Sequence, residues 1–212
     1  MKQIARALGL ALAGSLFVTV TSLEAQGFQT DEGPTVQIAP FAGYHFGGSI
    51  WSETLERQYS FKSGLDYGGT LDIALSETWR VEFLYLRQET SLESSGIAGP
   101  SFDVTLERYM IGIQEEKGEG SVKAFGVLLA GATRLIPGLE DAGSETYFSA
   151  GLSLGVKTFF TRNVGLRFEG RGVYTRVSGG GGVYCTAGQC LFSFSGAGIW
   201  QGDVSGGRII AF

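Results

Sequence analysis

The sequence predicts an all-β fold, an eight-stranded antiparallel up-and-down transmembrane β-barrel, and three observations carry that expectation. Residues 35–212 divide into eight strand candidates, their connections alternate short and long, and the last candidate ends on the aromatic Phe212. The short connections are 75–78, 115–121 and 161–163; the long ones are 50–58, 91–101, 138–145 and 178–198. Short periplasmic turns opposite long external loops are how bacterial membrane barrels are built.

Each strand can be tested for the period of two that a membrane imposes, apolar toward lipid and small or polar toward the lumen. Residues 36–46 send Val36, Ile38, Ala42, Tyr44 and Phe46 outward, with Pro40 expected to mark a bulge because it cannot donate to a ladder. Residues 65–73 place Leu65, Tyr67, Leu71 and Ile73 outside and Asp66, Thr70 and Asp72 inside. Residues 79–88 place Trp79, Val81, Phe83 and Tyr85 outside, leaving Arg80, Glu82, Gln88 and two leucines inside. Residues 103–114 misfit on either face. With Tyr109, Ile111 and Ile113 toward lipid, Glu107 faces lipid too and must sit at headgroup level.

Residues 123–135 are read with Phe125, Val127, Leu129 and Leu135 outward and Ala124, Gly126, Ala130, Ala132 and Arg134 inward. Residues 148–160 alternate cleanly, with Phe148, Leu152, Leu154, Val156 and Phe160 out and Ser149, Ser153 and Lys157 in. Residues 164–174 turn Val164, Leu166, Phe168 and Tyr174 out and Arg167, Glu169 and Arg171 in; residues 200–212 expose Trp200, Val204, Ile210 and Phe212.

Such a sheet must close, since an open edge in hydrocarbon strands a row of unpaired backbone groups at several kcal/mol apiece. Eight strands leave room only for side chains. The expected filling is a charge network of Asp72, Arg80, Glu82, Arg134, Lys157, Arg167, Glu169, Arg171 and Asp203, whose signs nearly balance and so can pair. A soluble lipocalin-like barrel would be apolar inside, contrary to Arg167, Glu169 and Arg171.

Around the barrel, residues 1–25 read as a signal peptide: Lys2 and Arg6 at the start, an apolar stretch at 8–20, and Ala25 before Gln26 as the cut. Leu23 stands where a small residue is usual, which leaves cleavage one or two residues earlier open. Residues 26–34 read as a short periplasmic lead-in, and 35–212 as the barrel. Removing Lys2, Arg6 and Glu24 leaves 14 basic and 20 acidic residues. That surplus of acid argues against a nucleic-acid partner.

The opening run at 39–48 (APFAGYHFGG), the segments at 65–69 (LDYGG) and 76–82 (SETWRVE), and the ending at 200–212 (WQGDVSGGRIIAF) resemble the small outer-membrane β-barrel proteins of Gram-negative bacteria, the OmpA/OmpX-type group. The resemblance spans the whole mature chain. It implies a location in the outer membrane and lipid as the surrounding partner. It also implies recognition by the barrel-assembly machinery through Phe212, Ile210 and Val204. Arg208 departs from the apolar pattern of that ending; its stem can lie along lipid while its charge reaches water.

The two cysteines, Cys185 and Cys190, bracket Ala187 and Gly188, and in an exported chain such a pair reads as a disulfide across a hairpin tip, worth about 2 kcal/mol at most. Zinc would need further ligands, and the chain has one histidine. The glycine runs at 179–182 and 196–206 lack the Lys-Ser or Lys-Thr and the helix of a phosphate loop. They read as loop hinges, and no cofactor is expected. His45 with Ser49 raises lipid A-modifying catalysis, but a lone His at a strand end reads better as a rim residue accepting water. The expectation is a monomeric, non-enzymatic barrel with a structural or surface-interaction role through an unidentified extracellular ligand or partner. The alternatives are a narrow transporter of small apolar solutes and, less favoured, a lipid A-modifying enzyme.

Overall fold

A computed structural model describes residues 34–52, 56–94, 101–138, 143–177, 182–186, 189–193 and 198–212. The signal peptide at 1–25, nearly all of the lead-in and the turn at 187–188 lie outside the described residues.

Among the described residues twelve strands form: β1 (Val36–Phe46), β2 (Ser49–Ser52), β3 (Arg57–Phe61), β4 (Gly64–Ala74), β5 (Trp79–Ser94), β6 (Phe102–Lys117), β7 (Val122–Pro137), β8 (Glu145–Phe159), β9 (Val164–Thr175), β10 (Gly182–Thr186), β11 (Gln189–Ser193) and β12 (Ile199–Ala211). Eight of them close a ring in the order β1, β4, β5, β6, β7, β8, β9, β12 and back to β1, every neighbouring pair antiparallel. At the seam the Phe212 N–H donates to the Val36 carbonyl at 2.9 Å and the Val36 N–H donates back at 3.3 Å. Closure satisfies the edge that hydrocarbon forbids.

The strands run further than expected. β5 and β6 reach Ser94 and Lys117, and the segment read as the first long loop carries β2 and β3, which prolong the β1–β4 pair in unchanged register. Gly47 and Gly48, at φ +79° and +93°, make the joint between β1 and β2 in a conformation that few other residues adopt. Pro40 does not make a bulge. The register between β1 and β12 is the same on both sides of it, and the pairing simply skips Ala39 and Pro40 opposite Arg208 and Ile209.

The exterior is apolar. Ile38, Leu65, Phe83, Ile111, Leu152, Leu154, Val156, Phe168, Val204 and Ile210 are all exposed, and aromatic rings flank them: Trp79, Phe160 and Phe212 toward the short turns, Tyr44, Tyr67, Tyr109, Phe148 and Trp200 toward the loops. An exposed greasy belt bounded by aromatic girdles is the outer surface of a membrane-spanning barrel.

β7 is the correction that matters most. Phe125 is 4% exposed and Leu128 69%, so Phe125, Val127, Leu129 and Leu135 point into the barrel while Ala124, Leu128, Ala130 and Arg134 point out. The reason is volume. A Cβ on Gly155 of the neighbouring strand would collide with the Phe125 ring, so the β8 glycine creates the space that the β7 ring fills. The lumen is accordingly not polar throughout: Phe41, Leu84, Leu86, Met110, Phe125, Val127, Leu129 and Val173 pack as an apolar cluster inside it.

Candidate functional site

The lumen has three levels along its axis. At the short-turn end, Ala39, Ile209 and Ala211 form a small apolar floor with Phe159 packed against it. At the loop end, Tyr59, Phe61, Leu92, Val104, Leu106, Leu135, Tyr147, Val177 and Ile199 form a buried apolar roof. Alternation forces the inward residue of each strand end to the axis, and the strands that overrun the expected loops supply most of this roof.

Between floor and roof runs one continuous chain of ion pairs. Arg80 Nε lies 3.2 Å from Glu116 Oε1; Lys157 Nζ lies 2.5 Å from the same oxygen and 2.7 Å from Asp72 Oδ2. Lys157 also donates to Gln37 Oε1 at 2.9 Å. Arg167 then joins Asp72 (3.2 Å), Glu82 (2.6 Å) and Glu169 (2.7 Å), and Arg171 joins Glu169 (2.9 Å) to Asp203 (3.1 Å). All these side chains are buried. The network touches every wall of the barrel, because β7 brings Lys123, whose Nζ lies 3.9 Å from Glu116 Oε2, and the Phe125 ring. The Arg167 guanidinium lies 4.3 Å and Lys157 Nζ 5.3 Å from its centroid, and Arg171 lies 5.4 Å from the Phe41 ring. A cation held by carboxylates on its edge and an aromatic face beside it recovers part of its lost hydration.

Of the residues expected in the network, Asp72, Arg80, Glu82, Lys157, Arg167, Glu169, Arg171 and Asp203 lie together in the lumen. Arg134 does not. It sits on the outer face near the loops, where its Nε and Nη2 donate to Ser144 Oγ at 3.2 and 3.0 Å. Glu116, Arg108, Asp66, Gln37 and Gln114 are lumen residues that the expected network omitted. Glu116 falls within the expected short connection at 115–121, and the strand runs through it. Arg108 follows from alternation once Tyr109 is turned to lipid.

Above the network the polar groups are less completely paired. Arg108, 1% exposed, donates to Gln201 Oε1, and among the described residues no carboxylate lies within salt-bridge distance of it. Asp66 is equally buried, and neither carboxylate oxygen accepts a hydrogen bond from the described residues. A Cβ on Gly43 would strike that carboxylate, so the glycine makes the room for it. His45 is buried rather than placed at the rim as expected, and its Nε2 donates to the Lys62 carbonyl at 2.9 Å while Ser49 is exposed. Thr133, Ser149 and Thr175 share hydroxyl hydrogen bonds at the same end, with Thr133 to Ser149 at 2.7 Å.

On the outer face, Glu107 is 8% exposed although it faces lipid. The Tyr109 and Tyr85 hydroxyls donate to it at 3.0 and 3.4 Å, and Arg87 lies 3.3 Å away, so the charge is covered at the level of the loop-side aromatic girdle. Val204, Ile210 and Phe212 are exposed on the lipid face of β12. Cys185 and Cys190 stand directly opposite one another in the β10–β11 pair.

No protein-family model matches the chain, and no curated protein matches it in sequence. Solved structures do match in fold. The crystal structure of Neisserial surface protein A is 18% identical with a TM-score of 0.60, covering 84% of this chain and 97% of that one. The solid-state NMR structure of the outer membrane protein AlkL in DMPC lipid bilayers is 11% identical with a TM-score of 0.52, covering 88% of this chain and 94% of that one. At these identities the likeness is one of fold. With a closed ring of eight strands and a greasy exterior, the chain is an eight-stranded β-barrel of the kind that spans the Gram-negative outer membrane.

Proposed function

We propose that this protein is a closed, monomeric scaffold of the outer membrane that acts through its extracellular loops, in a structural or surface-interaction role, and does not conduct solutes along its axis. The observation that carries the reading is the Arg167 guanidinium, buried on the axis and held by three carboxylates from three strands with the Phe125 ring beside it. Opening a water path there means separating ions that are already out of bulk water, and breaking one partner of such a set costs about 3–5 kcal/mol. The apolar roof adds a second closure nearer the loops.

The β2–β3 extension and the β10–β11 hairpin supply the surface for an extracellular ligand or partner. A disulfide between Cys185 and Cys190 would hold the tip of that hairpin. The lipid-facing Val204, Ile210 and Phe212 present the terminal strand in the form that the barrel-assembly machinery reads.

Reconstitution into planar bilayers tests the proposal. A silent baseline at moderate voltage agrees with it; stable unitary conductance steps overturn it. Uptake of a small apolar solute into protein-bearing liposomes, above that of empty ones, would favour the narrow transporter instead.

A further inference from the structure

Arg208 is the charged residue that the barrel's outer pattern does not explain. It faces lipid between Ile210 and Gly206, and its cross-strand neighbour on β9 is Leu166. Among the described residues it has no carboxylate within salt-bridge distance. Phe212 lies four residues further on, about 13 Å along a strand at roughly 3.3 Å per residue, and the tilt of barrel strands reduces that to about 10 Å of height above the periplasmic girdle. A cation at that depth is expensive unless its head finds a counter-charge, and an arginine stem is long enough to bring the guanidinium most of the way to the interface.

Beside Arg208 the wall is hollowed. A shallow, open groove of about 560 Å³ is lined by Arg208 itself together with Pro40, Ala42, Leu166, Phe168 and Gly206. It lies where the pairing between β1 and β12 skips Ala39 and Pro40. Two features make it. Pro40 supplies no N–H to the ladder, and Gly206 leaves open a space in which even a Cβ would lie 3.4 Å from the Phe168 ring.

We infer that this groove with Arg208 is a binding site for a glycerophospholipid of the periplasmic leaflet, the phosphate on the guanidinium and one acyl chain along Gly206 and Ala42. The charge sets the headgroup class. A guanidinium with no carboxylate partner at the edge of the hydrocarbon selects a phosphate, which it can hold by two parallel hydrogen bonds. Direction sets the leaflet: the arginine lies on the short-turn side, and the groove runs from it toward the membrane centre. The bound chain covers the stretch of wall in which the ladder between the first and last strands is interrupted.

The inference rests on the membrane-barrel reading, and the test separates the two. The purified protein is refolded into detergent, its folding and insertion into liposomes are checked by heat-modifiable migration, and native mass spectrometry counts lipid adducts after addition of phosphatidylglycerol, phosphatidylethanolamine or diacylglycerol. Wild type should retain one phospholipid, phosphatidylglycerol at least as well as phosphatidylethanolamine, and no diacylglycerol. Arg208→Gln should lower the bound fraction roughly tenfold, the size of one lost charge-assisted contact, and Arg208→Lys should restore part of it. Gly206→Leu fills the groove without touching the charge and should abolish binding, which keeps the test open if the arginine variants refold poorly. Equal adducts in wild type and Gly206→Leu overturn the site, as does retention of diacylglycerol at the phospholipid level. A protein dimer that Gly206→Leu dissociates overturns it too, by showing a second copy in the groove. Failure to insert at all refutes the barrel reading itself.

Discussion

Arg167 is where the chemistry of single residues bears hardest on the fold. Its three carboxylate partners come from β4, β5 and β9, so removing the guanidinium leaves Asp72, Glu82 and Glu169 close together in a dry interior. Arg167→Ala should lower stability by about 3–5 kcal/mol, measured by urea unfolding in liposomes followed by tryptophan fluorescence. Arg134→Ala should stay within roughly 0.5 kcal/mol of wild type in the same assay, because its guanidinium is exposed and bonded to one serine hydroxyl. That contrast could not be had from the sequence. Arg167 sits in a strand whose charges share one face, whereas Arg134 follows residues that are small or apolar on both faces, and one charge alone does not say which way such a strand is turned. Eight of the nine charges expected in the lumen are there; Glu116 is hidden in a polar run, 114–117, that has the composition of a turn, and Arg108 by the neighbouring Glu107, which makes the facing of its strand ambiguous.

At the scale of elements, the alternating strands were legible wherever one face carried charges or hydroxyls, as in β4, β8 and β9. β7 was not, because residues 124–132 are small or apolar on both faces and a period of two fits either way. Size decided it: the Phe125 ring fills the space left by Gly155 of β8, and Ala124, Leu128 and Ala130 are left to meet lipid. Leu128→Arg should therefore place a charge against the bilayer and cost about 2–4 kcal/mol near the midplane, read from the urea midpoint in liposomes. A variant as stable as wild type would mean that Leu128 faces inward. The lengths of β5 and β6 were underread for a related reason. Their last residues are polar, and beyond the hydrocarbon, on the loop side for β5 and the short-turn side for β6, a strand needs no apolar face. In the β10–β11 hairpin, where Cys185 faces Cys190 in register, the unreduced protein should be two hydrogens lighter by mass than the reduced one. Reducing it should shift barrel stability by no more than about 2 kcal/mol, since the ring is small and local.

Over the whole molecule, one rule accounts for both surfaces of the wall. The ring closes because no backbone edge survives in hydrocarbon, and closing eight strands makes a lumen too narrow for anything but side chains. Ions then occupy the middle of that space, an apolar roof and floor seal it, and the outside is left to lipid. The measurement that tests this most directly is site-directed spin labelling in lipid vesicles, with molecular oxygen as the lipid-soluble relaxant and a nickel chelate as the aqueous one. Single cysteines would be placed at Leu128, Leu152 and Phe168, and at Phe125, Ser153 and Glu82, in a background lacking Cys185 and Cys190. The account predicts high oxygen accessibility at the first three and low accessibility to both relaxants at the second three; oxygen reaching position 125 as freely as 128, or the nickel chelate reaching 82 or 153, would contradict it.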